Sequence, residues 1–215
     1  MRHVARKPLP LRTAGALNRA ARALAGAVAR GEQPTISGAY KSAGVQRVLR
    51  DQMFERCCCF CEAHTEATNY GQVEHYRPKG RAEFAHLAFS WENLLWACGR
   101  CNGPKSTHWN HSAPLLDPTV DEPNDHVRWH DAVVVHLTAR GEYTITSLDL
   151  NGRKNLQRFE LRREHLKAAR LILIAAQSSL DTDERTNARE LLRRWLGPGG
   201  AFRGMLSANG IALIE

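Results

Sequence analysis

The chain has 215 residues, enough to bury a substantial core, and thirty Lys and Arg against twenty-two Asp and Glu give it a formal charge of +8. That charge suits a polyanionic partner, with nucleic acid first among them. No run approaches the roughly 18 apolar residues that cross a bilayer, and no leader with a small-residue cleavage site follows the start, so a membrane or secreted protein is not expected and a soluble, cytoplasmic one is.

The first thirty-one residues hold no acidic side chain and carry Arg2, Arg6, Lys7, Arg12, Arg19, Arg22 and Arg30. This is also the composition of an organellar transit peptide, but nothing else in the chain points to an organelle. From Ala14 to Arg30, Leu17, Ala21, Leu24 and Val28 recur at helical spacing with Arg19, Arg22 and Arg30 opposite them. The spacing predicts an Ala-rich helix whose basic face is either solvated or set against phosphates. Gly31 to Gly38, with Pro34, breaks it, and Ala43 to Arg56 resumes a helix with Val45, Val48, Leu49 and Met53 on one side.

That second helix leads into Cys58-Cys59-Phe60-Cys61, which is answered by Cys98-Gly99-Arg100-Cys101. A two-residue gap lets both thiolates of one tight turn bind one tetrahedral ion, and four sulfur ligands from Cys58, Cys61, Cys98 and Cys101 select zinc. In a reducing compartment such pairs point to metal before disulfides. Cys57 and Cys59 are left to pack beside the knuckle. Thirty-six residues separate Cys61 from Cys98, too many for a plain ribbon, so a folded insert is expected between them. Within it, Val73 to Arg77 alternates as a strand ended by Pro78-Lys79-Gly80, Asn93 to Ala97 is a second β-prone run, and Gly99 to Ser106 opens a helix bearing Asn102 and Lys105.

Pro114, Pro118 and Pro123 mark an extended crossing. Ala132–Leu137 and Tyr143–Ser147, on either side of Ala139-Arg140-Gly141-Glu142, predict a β-hairpin. Asn151 is the expected N-cap of a helix to about Gln177 with Leu156, Phe159, Leu166, Ala169 and Leu173 as its apolar stripe. Asp181 or Thr182 opens another, lined by Ala188, Leu191, Leu192 and Trp195 and stopped at Gly197-Pro198-Gly199-Gly200. A short helix or turn over Phe202–Ala208 and an apolar tail from Ile211 to Ile214 close the chain.

The order of an acid-histidine pair, an Asn-Leu strand and a Cys-x-x-Cys-Asn-x-x-Lys turn resembles the HNH endonucleases of the ββα-metal fold, in their zinc-stapled branch. The core of the resemblance covers about fifty residues. Looser matches, in the Met-Arg-His-Val start, Pro10-Leu11, the Cys-Phe-Cys-Glu knuckle, Leu116-Asp117-Pro118, Thr144-Ile145 and Leu148-Asp149-Leu150-Asn151, resemble the bacterial HNH subfamily of Septu-type and retron-associated anti-phage systems. The fold this implies is α+β: a ββα-metal core stapled by a four-cysteine zinc site, with flanking helices and an additional hairpin. It also implies His75 as general base, Glu74 and Asn102 as ligands of one Mg²⁺ or Mn²⁺, Asn93 as a brace of the histidine loop, and an ABC-type ATPase as partner. Arg77, Lys79, Arg100 and Lys105 ring the site as candidate phosphate-binding cations.

The chain departs from the family pattern where Glu74 precedes the base in place of Asp or His, where Asn102 replaces the final histidine, and where Ser106 stands in place of a later one. Asn102 favours a hard, oxygen-bound ion. The segments expected are a basic helical start over 1–56, the nuclease core over 57–112, and a hairpin with a helical scaffold over 113–215. DNA is the favoured substrate. RNA, such as a transfer RNA, with the same residues in the same roles, and a zinc-ribbon module that binds without cleaving are the alternatives.

Overall fold

After Pro10 the apolar spacing folds as helix α1, Leu11–Ala29, which buries Leu17 and Leu24 and leaves Val28, Arg19, Arg22 and Arg30 exposed. A computed structural model describes residues 1–32, 35–66, 70–152 and 156–213; Pro34 and Ile214 lie outside them. Helix α2, Ala43–Arg47, widens into a π-type turn over Val48–Met53, and its apolar side chains Val45, Val48, Leu49 and Met53 are all buried, as their spacing predicts. The chain then enters the first cysteine knuckle.

Strand β1, Gly71–His75, pairs antiparallel with β2, Leu94–Cys98, placing His75 opposite Leu94 and Glu74 opposite Leu95. Every residue of β2 is buried, and β1 buries Val73, Glu74 and His75 in succession, so this small sheet is covered on both faces. Gly71 is needed at the strand start: a Cβ there would fall 2.3 Å from the Trp96 indole. Helix α3, Gly99–Lys105, follows β2 without a linker and completes a strand-strand-helix unit. Around it lie helices and small sheets in a mixed α+β architecture whose buried core draws on Leu17, Val45, Phe60, Leu95, Leu116, Leu166 and Met205.

The additional hairpin is present, but its strands are β3, Val127–His130, and β4, Val133–His136. Tyr143–Ser147, expected as its second strand, lies in helix α4, Ala139–Ser147. Thr138 caps that helix by accepting from the Gly141 amide, and Gly141 packs so tightly that a Cβ would meet the His126 carbonyl at 2.1 Å. These contacts override the β propensity of the Tyr-Thr-Ile-Thr run. Asn151 is not a helix cap either: its amide brackets Val134, accepting from the backbone N–H and donating to the carbonyl.

Helix α5, Gln157–Ser178, packs against α6, Thr182–Leu196, which Asp181 caps by accepting from the amides of Asp183 and Glu184. Of the α6 stripe, Ala188 and Leu192 are buried whereas Leu191 faces solvent. Helix α7, Arg203–Ala208, follows, and Ile211 is buried after it. Among the described residues no helix is long and apolar enough to cross a membrane.

Candidate functional site

The two knuckles meet because the first is hydrogen-bonded to the strand that carries the second: Cys59 N–H donates to the Trp96 carbonyl at 2.9 Å, two residues before Cys98. The sulfurs of Cys58, Cys61, Cys98 and Cys101 all lie within 4.8 Å of one another, and Cys61 Sγ is 3.8 Å from Cys98 Sγ. A tetrahedron with metal–sulfur bonds of about 2.3 Å has sulfur–sulfur edges of about 3.8 Å, so the four thiols are placed to close on a zinc ion with shifts of no more than about 1 Å. All six cysteines are buried and unbridged. Cys57 points its thiol at the Gly199 and Gly200 carbonyls, 3.7 and 3.6 Å away, and burial pushes it up to about 12, which makes it a packing residue and not a nucleophile.

His75 ends β1 only 3% exposed, with Nε2 2.9 Å from the Ala88 carbonyl. A carbonyl can only accept, so Nε2 carries the proton and Nδ1 keeps the lone pair. Among the described residues Nδ1 has no hydrogen-bond partner. Burial, with Lys79, Lys105 and Lys41 adding to it, depresses the imidazole to about 4, against the Ala88 bond, which acts the other way. The ring is therefore a neutral base throughout the physiological range.

Asn93 fixes both segments that orient this ring. Its Oδ1 accepts from Arg77 N–H at 2.8 Å, and its Nδ2 donates to the Arg77 carbonyl at 3.0 Å and to the Leu87 carbonyl at 3.2 Å, next to Ala88. Substituting Asn93→Ala strands those three partly buried backbone groups and should lower stability by about 1–2 kcal/mol. A differential scanning melt would show this as a drop of several degrees.

Glu74 and Lys105 form a buried pair: Lys105 Nζ donates to Glu74 Oε1 at 2.6 Å and to the His75 carbonyl at 2.7 Å. Burial raises the Glu74 carboxyl, and Lys105 and Lys79 oppose that shift. Lys105 is 0% exposed, so it does not stand among the cations that meet a phosphate from solvent, as its sequence position suggested; it joins α3 to β1. Asn102 lies one helical turn before Lys105, half-buried, with no side-chain hydrogen bond among the described residues. Arg77 is exposed and Lys79 half-buried, while Arg100 donates to Gln157 Oε1 at 3.0 Å.

Sequence reasoning missed Tyr40, Lys41 and Arg6. The Tyr40 ring meets the His75 ring edge-on at 4.6 Å, and the ammonium groups of Lys41 and Lys79 lie 5.5 and 5.4 Å from its centroid. The Gly38–Lys41 turn thus brings a third lysine to the imidazole, from outside the motif. Arg6 donates to the carbonyls of Trp91, Glu92 and Leu94 and to Thr119, bracing the start of β2. Nothing in the local pattern of the acid-free start separates Arg6 from its exposed neighbours.

The chain has recognisable relatives. It resembles two curated proteins named "Septu protein PtuB": one from Bacillus thuringiensis, 36% identical over 101 residues, and one from Bacillus mycoides (strain KBAB4), 30% identical over 174 residues. These matches take in 46% and 66% of this chain, and the chain spans 38% and 57% of the two relatives' lengths. No family model matches.

Proposed function

We propose, from the likeness to the Septu proteins and from the geometry around His75, that the chain is an HNH endonuclease that hydrolyses DNA phosphodiesters as the effector of an anti-phage system, with an ABC-type ATPase as partner. The observation that carries the reading is the fixed tautomer of His75 on a strand held beside a four-cysteine cluster, one residue after a buried carboxylate.

In this reading Nδ1 takes a proton from the attacking water, which forms the new P–O bond as the P–O3′ bond breaks. Glu74 and Asn102 are the residues to hold a divalent ion. Lys105 already occupies Glu74 Oε1, so the protein offers the second carboxylate oxygen and the Asn102 side-chain oxygen, a sparse oxygen set of the kind Mg²⁺ or Mn²⁺ accepts while keeping most of its water. Such an ion, when bound, neutralises the scissile phosphate and the leaving 3′ oxygen. Lys41, Lys79 and Arg77 supply positive charge for flanking phosphates. An imidazole as buried as this one needs its cover displaced before a phosphodiester arrives, and the turn carrying Tyr40 and Lys41 is packed on it.

The experiment is plasmid nicking by the purified protein with Mg²⁺ or Mn²⁺, alone and with the partner ATPase, with tRNA as the competing substrate. Cutting of tRNA in place of plasmid would keep the residues and change the substrate. Salt-dependent binding with no turnover under any of these conditions would favour the non-cleaving module. The pH dependence has a definite sign: with the imidazole depressed to about 4, kcat/KM should hold as pH falls through 6.5 and fail only well below it. An acid limb centred on 6.5 would contradict the buried environment assigned to the base.

A further inference from the structure

Arg162 on α5 is 0% exposed, and among the described residues none of its three guanidinium nitrogens has a hydrogen-bond partner. Its plane lies over Trp129, 5.1 Å from the ring centroid. A guanidinium keeps its proton, and a buried charge without a counter-charge is strongly unfavourable. Among the described residues no carboxylate is ion-paired with Arg162, and burial lowers its guanidinium to about 10, with Arg158 adding to that shift and Cys61 and Cys101 opposing it.

One turn earlier on the same helix face, buried Arg158 donates to the carbonyls of Leu148 and Asp149 at 2.7 and 2.9 Å and to that of Arg100, inside the second cysteine pair. Arg158 thus reaches the second cysteine turn, with buried Arg162 one turn further along, from a helix that lies more than fifty residues beyond the last cysteine.

The charge count explains the pair. Four thiolates around one divalent ion carry a net charge of −2, and two guanidinium groups carry +2, whereas four neutral thiols would leave both arginines uncompensated. We infer that Arg158 and Arg162 are the counter-charge of the metal–thiolate centre, so that loading the ion fastens α5 to the strand-strand-helix core and removing it frees that helix. The inference rests on the cysteine cluster binding a metal and stands apart from the nuclease reading.

Metal affinity of the purified full chain, measured with Zn²⁺ and Co²⁺ against a chromophoric chelator, tests it. Arg162→Met, which keeps the bulk and removes the charge, is expected to weaken affinity by about 10- to 100-fold, and Arg162→Lys to recover most of that loss. Unchanged affinity in a folded Arg162→Met protein would overturn the inference, as would a Lys variant no better than Met. If Arg162→Met does not fold, the wild-type chain carries the test. Stripping its metal should raise hydrogen exchange across Gln157–Ser178 more than across Leu11–Ala29. Equal change in both helices, or none in Gln157–Ser178, would overturn the coupling.

Discussion

Replacing His75 with alanine should cut metal-dependent nicking of supercoiled plasmid by about 10²- to 10⁴-fold, the range that a positioned general base contributes. The expectation follows from the lone pair on Nδ1, which no other described side chain engages, and from the low proton affinity that burial gives the ring. The substitution also leaves the Ala88 carbonyl unpaired and opens space beside Tyr40, a structural loss of about 1–3 kcal/mol. Loss of nicking therefore counts only if the variant keeps its metal and a cooperative melt. Equal cutting by variant and parent would remove His75 from the chemistry. If neither cuts, the assay is repeated with the ATPase, and only a difference between the two proteins there supports the imidazole.

Cys98→Ser should have the larger effect on the molecule itself. Cys98 is at once a proposed metal ligand, the last residue of β2 and the residue preceding α3, so its loss removes a ligand from the joint between sheet and helix. Structural zinc sites in small domains supply an apparent 10–16 kcal/mol at neutral pH, as much as the whole stability of an ordinary domain at about 5–15 kcal/mol. The variant is expected to lose stoichiometric zinc and to melt at a markedly lower temperature, and chelator treatment of the parent should reproduce both losses. Cys57→Ser and Cys59→Ser should keep the metal, since neither sulfur belongs to the four-sulfur cluster. A Cys98→Ser protein with unchanged zinc content and melting temperature would show that the cluster is not a metal site.

The parts legible in the sequence are those encoded by short spacings. Each cysteine pair occupies one turn, the strand before Pro78 is set by a few consecutive residues, and Asp181 caps a helix through amides two and three residues ahead of it. What could not be read is set by residues far apart. Tyr143–Ser147 has strand composition but is helical because Thr138 caps it, Gly141 fits against His126, and Thr144 is buried accepting from the Leu116 amide. Asn151 has the look of a cap and instead serves Val134, seventeen residues away. Within the site, Lys105 reads as a surface cation because its partners, Glu74 and the His75 carbonyl, lie on β1, some thirty residues before its own helix. Tyr40, Arg158 and Arg162 carry no local signal at all: an aromatic in a turn and arginines in a helix are ordinary until packing brings them to an imidazole or to sulfur.

The bonds of Asn93 and Ala88 close the connection between the two strands of the core near its base, and beyond that closure the segment up to His86 is held in its own right, with Phe84 buried against Trp109 and Glu83 bonded to Arg81 and His111. Exposed positions of that segment such as Ala82 and His86 can change without re-aiming the ring of residue 75. Variation at such surface positions is thereby separated from the placement of the imidazole.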